Sequence, residues 1–83
     1  MSLTIHQAKS RLLMLAQVCS EEGQQWPRGR QRAELTHTSI QLAYLARSIE
    51  RQPMPVVESF ISSTIDLVAP MAAARAFAGV HRG

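Results

Sequence analysis

Apolar residues recur along this chain at helical spacing, not in the alternation of a strand. Ile5, Ala8, Leu12, Leu15, Ala16 and Cys19 fall in one sector of a helical wheel, and Gln7, Lys9, Ser10, Arg11 and Gln17 take most of the remainder. Thr4-Ile5-His6-Gln7 fits a capping box and Gly23 is a natural stop, which predicts a first helix over about residues 4–22. Met14 and Val18 lie outside this stripe, away from the core. The template returns as Leu35, Thr38, Leu42, Leu45, Ala46 and Ile49, predicting a second helix over about 32–51. The connection between the two is short, so an α-hairpin is the expected arrangement.

Pro53 and Pro55 end the second helix, since each disfavours helix at the residue before it, and Pro55 suits the first position of a third. Val57, Phe60, Ile61, Thr64, Ile65 and Val68 form the apolar face of that helix, expected over 55–68. Glu58, Ser59, Ser62, Ser63 and Asp66 form its polar face. Extended straight through Pro70, the helix would aim Arg75 at the core and Phe77 at solvent. The pattern therefore predicts a break near Ala69-Pro70, a short fourth helix over 71–78 at a new angle, and a tail from Gly79. The fold class expected is all-α: one domain over residues 1–83, a small helical bundle of three amphipathic helices plus a short C-terminal helix after Pro70.

The second helix carries more than a core stripe. Its opposite side holds Ile40 and Tyr44, bracketed by His37, Arg47 and Arg51. Tyrosine with arginine is a composition enriched at protein interfaces, which makes Ile40, Tyr44, Arg47 and Arg51 candidate partner-binding residues. The alternative is intramolecular, with Ile40 and Tyr44 covered by a later helix. The segment Met-Ala-Ala-Ala-Arg-Ala-Phe-Ala is apolar almost all round, so it is either buried in the monomer or the seam of an oligomer, with Met71, Ala74, Phe77 and Ala78 as seam candidates.

Composition sharpens the picture. Eighty-three residues with one cysteine leave no intramolecular disulfide, and no Cys/His set has zinc spacing. A chain of this size buries only about 60% of its unfolded surface, so the lack of staples favours self-association. Eleven alanines and few aromatics suit close helix-on-helix packing. A signal peptide is excluded by Lys9 and Arg11 in what would be its apolar core, and a single membrane span over Phe60–Val80 is opposed by Asp66, Pro70 and Arg75. The expectation is a soluble cytoplasmic protein.

The formal charge of +3 comes from eight arginines and one lysine against six acids. It can steer an anionic partner without identifying one. Arg28, Arg30 and Arg32 cluster at the start of the second helix, where cations oppose the helix dipole unless an anion is present, and Trp26 beside them could stack on a base. These four are the candidate anion-binding residues. A structural account also exists: the arginines pair with Glu21, Glu22 or Glu34, and Trp26 plugs the end of the bundle. His6, His37 and His81 have no triad-like neighbours, Cys19 sits on the core face, and no glycine-rich phosphate loop is present. No enzyme activity, cofactor or metal is expected. Sequence-specific DNA binding fits poorly, because the third helix exposes serines and acids and the second follows a connection longer than the usual tight turn.

From Pro27 to Arg51, the proline and arginine before the helix, Leu35-Thr36, Tyr44 and Ile49 with Arg51 resemble the helical hairpins of small phage proteins that sequester cyclic nucleotides. The resemblance leaves the third helix outside it and implies nucleotide as a ligand to test. The reading of function is a non-enzymatic, self-associating helical module that binds a protein partner, with a phage or mobile-element accessory or inhibitor as one such role. Its rival is an anion binder for nucleic acid or nucleotide, acting through the basic turn.

Overall fold

The computed structural model describes the backbone of residues 3–82 and the side chains of residues 3–78. It contains three α-helices, α1 (Ile5–Gln25), α2 (Arg30–Arg47) and α3 (Met54–Arg82), with a 3-10 turn at Ile49–Arg51 and no strand among the described residues. The chain is all-α. Thr4 caps α1 as the sequence predicts: its hydroxyl accepts from the Gln7 amide at 3.1 Å while the Gln7 side chain accepts from the Thr4 amide at 3.0 Å. Helices α1 and α2 form a closely packed hairpin, and α3 lies chiefly along α1 with little contact to α2.

The core joins Ala8, Leu12, Leu15, Ala16 and Cys19 of α1 to Leu35, Leu42 and Ala46 of α2, Ile49 of the 3-10 turn, and Val57, Ile61 and Val68 of α3. Ile5 and Ile65, assigned to apolar faces by periodicity, are instead 50% and 48% exposed. Ser39 adds a polar link across the hairpin, its hydroxyl donating to the Ala16 carbonyl at 2.8 Å. The Cα envelope measures 46 × 25 × 15 Å. Its least dimension is about one interhelix spacing plus a backbone diameter, so the molecule is at most two helices deep and much apolar surface stays outside.

Three boundaries differ from the sequence reading. Gly23 does not stop α1. It is buried inside the helix, and a Cβ added there would lie 3.3 Å from the Leu35 Cβ, so the glycine marks a close approach of α1 to α2. The second helix starts at Arg30 and ends at Arg47. Ser48 then leaves helical geometry, its hydroxyl donating to the Tyr44 carbonyl, and the 3-10 turn keeps Ile49 in the core.

The largest difference is at Pro70. There is no separate helix over 71–78 and no tail at Gly79: α3 runs through the proline as one helix to Arg82. Pro70 and Asp66, whose carbonyl loses its usual amide partner, are both exposed, so solvent can reach the freed oxygen. The unbroken helix does turn Arg75 toward α1 and Phe77 outward, as periodicity requires. Arg75 is accommodated because Glu22 waits for it: Nε donates to Oε2 at 2.6 Å and Nη2 to Oε1 at 3.0 Å. The 29 residues of α3 span about 43 Å, so its last turns run past the loop end of the shorter hairpin.

Candidate functional site

The turn into α2 is built by Gly29. It caps the helix with φ 156° and ψ −163°, a positive-φ conformation that favours glycine, and it offers no side-chain oxygen to the first amides. No acid stands in the first turn of α2. Arg28, Arg30 and Arg32 are exposed there, and among the described residues none of them is ion-paired with Glu21, Glu22 or Glu34; the ion pair present is Arg75 with Glu22. Arg28 and Arg32 line a shallow cleft of about 420 Å³ with Gly29, Ala33, Thr36, His37 and Ile40. Arg30 does not line this cleft.

Trp26 is not part of it either. It is half-buried against the core, and its indole N–H donates to Glu22 Oε2 at 3.0 Å. Glu22 is 8% exposed and links three elements: α1, the end of the bundle through Trp26, and α3 through Arg75. The hydrogen bond from Arg75 holds its carboxyl below the usual carboxylate range, with the indole bond and the charge of Arg75 acting in the same direction against burial. The Arg75 guanidinium is raised by the same bond. Sequence reasoning had Trp26 at the end of the bundle in its structural account but missed Arg75 as the partner of Glu22. The clue was present, since an unbroken α3 puts Arg75 on the core side, where a partly covered arginine favours a carboxylate partner.

The second stripe of α2 is open. Ile40 is 61% and Tyr44 60% exposed, so no later helix covers them. With Gln41, Leu45, Val56 and Phe60 they line a groove of about 400 Å³ between α2 and the first turns of α3, almost wholly apolar. Val56, also missed in the sequence, is 53% exposed. Arg47 and Arg51 are exposed but outside the groove, Arg47 in the last turn of α2, where a cation complements the dipole, and Arg51 in the 3-10 turn. Of the four seam candidates, Met71 packs against the core while Ala74, Phe77 and Ala78 are exposed.

Other chemistry is sparse. Cys19 is fully buried and its thiol is pushed up by that burial. His6 and His37 are exposed, and the His81 side chain lies outside the described residues. Among the described residues no three His, Cys, Asp or Glu side chains gather closely enough to hold a metal ion. By length and composition Met54–Ala78 could cross a bilayer, and only 22% of its most apolar window is buried. Comparison of the chain with models of known families, with curated proteins and with solved structures found no match.

Proposed function

We propose that this chain is a non-enzymatic helical module that binds a protein partner through the groove between α2 and α3. The observation carrying this reading is that Ile40, Tyr44 and Val56, each more than half exposed, line one apolar groove with Phe60. Large side chains in such a concave strip are stabilised by a partner that removes them from water. The deep burial of Cys19 supports a role without catalysis. Ala74, Phe77 and Ala78, exposed toward the end of α3, are the surface for self-association. Asp66 and Arg75 within the apolar stretch of α3, the latter paired to α1, support action in the cytoplasm over membrane insertion, and an accessory or inhibitor of phage or mobile-element origin is one role open to such a module.

The test is stoichiometric capture of a specific partner from the host. Wild-type protein should retain it, Ile40→Asp should lose it, and Leu13→Asp on the exposed side of α1 should retain it. Capture unaffected by Ile40→Asp would overturn the reading. A second reading, binding of nucleotide or nucleic acid, draws support from the uncapped start of α2 and the Arg28/Arg32 cleft. It loses a stacking aromatic, because the Trp26 indole is packed on the core and bonded to Glu22. Steep loss of affinity with salt would mark it.

A further inference from the structure

We propose that the apolar groove and the basic cleft are one docking strip, and that its occupant is an amphipathic helix with apolar anchors along one face and carboxylates at one end. The inference rests on the protein-binding reading above and specifies the partner's chemistry.

Ile40 lines both clefts, so they adjoin along α2. From Arg32 to Tyr44 the strip covers twelve steps of helix, about 18 Å. Its two ends differ in character. The Tyr44 end is floored by Leu45, Val56 and Phe60 and offers almost nothing to hydrogen-bond. The Arg32 end carries two guanidiniums and His37 beside a helix start that no side chain caps and no acid neutralises. Carboxylates placed there meet arginines and uncapped helix amides together, whereas carboxylates over the groove meet hydrocarbon, and Arg47 and Arg51 beyond its far end stand at the carbonyl end of α2.

A helix is the occupant the strip suits. A peptide that binds by strand addition needs an exposed sheet edge, and no strand exists among the described residues. A groove between two helices is filled by side chains at i, i+3 or i+4 and i+7 of a third. Nucleic acid would engage the Arg28 and Arg32 end but would leave Tyr44, Val56 and Phe60 facing phosphate or water.

The experiment selects binders from a displayed library of helix-forming peptides of about 16 residues with randomised surface positions, long enough to cover the strip. Selected sequences should pair two or more apolar anchors at helical spacing with Asp or Glu concentrated at one end. Ile40→Asp should abolish their binding, with circular dichroism confirming that the variant is folded. The Arg28→Gln/Arg32→Gln double variant should weaken them about tenfold at low ionic strength, and should no longer distinguish a peptide from its Glu→Gln form. Peptides that depend on Ile40 but show no acidic bias and no response to the double variant would overturn this inference while leaving the protein-binding reading standing. Failure to select any peptide sensitive to Ile40→Asp would overturn both. A dimer by sedimentation that Ile40→Asp converts to monomer would place a second copy on the strip and refute the acidic-helix occupant. Displacement of the best peptide by a single-stranded oligonucleotide more readily than by its own free form would refute it in favour of nucleic acid.

Discussion

Leu42 and Tyr44 stand two residues apart on α2 and should respond to truncation in opposite ways. Leu42 is fully buried in the core, while Tyr44 is 60% exposed on the groove. Leu42→Ala removes a packed side chain and leaves a cavity, which costs about 2–5 kcal/mol. A domain of 83 residues has a total stability on the order of 4–12 kcal/mol, so this change removes a large fraction of it. The melting temperature should fall by on the order of 10–40 °C. Tyr44→Ala gives up a contact that is mostly with water and gains in helix propensity, so its effect should stay within about 0.5 kcal/mol. Thermal melts of both variants followed by circular dichroism at two protein concentrations supply the comparison. If Tyr44→Ala were as destabilising as Leu42→Ala at both concentrations, Tyr44 would be buried in the folded monomer and the groove would not exist as described. If the large effect appeared only at high concentration, the groove would already be filled by another copy.

Pro70→Ala should stabilise the protein by about 1–3 kcal/mol, since it restores a helix hydrogen bond at an exposed position; a lower melting temperature would show that α3 is broken there after all. Acid unfolding should report Glu22. Its folded carboxyl is held below the unfolded value, so the stability it lends is complete above the ordinary glutamate range near ~4.3 and is lost as pH falls through the depressed value. Glu22→Gln should flatten that part of the stability profile, and a wild-type profile with no slope below ~4.3 would contradict the ion pair with Arg75. Replacing Arg28, Arg30 and Arg32 with Gln should leave stability level or raise it by a few tenths to about 1 kcal/mol, because all three oppose the dipole of α2 and none is ion-paired among the described residues. A marked fall in the melting temperature would mean that they hold the turn together.

Much of the hairpin was legible in the residue pattern. The buried stripe of Leu12, Leu15, Ala16 and Cys19 and that of Leu35, Leu42, Ala46 and Ile49 follow from helical period alone, and the Thr4/Gln7 cap follows from four adjacent residues, because these features depend on neighbours within a turn or two. The groove was half legible: Ile40 and Tyr44 announced a second stripe, but their exposure depended on where α3 lies, and Val56 joins them only through that placement. Gly23 reads as a stop until Leu35 comes within 3.3 Å of its missing Cβ. Pro70 reads as a break for the same reason, because local preference weighs the lost hydrogen bond and the inward arginine without sight of Glu22, which lies 53 residues earlier in the chain. Local periodicity determined which residues share a helix face. Tertiary packing decided which faces meet, since a charge that is unfavourable beside a core becomes acceptable once a distant carboxylate is brought against it.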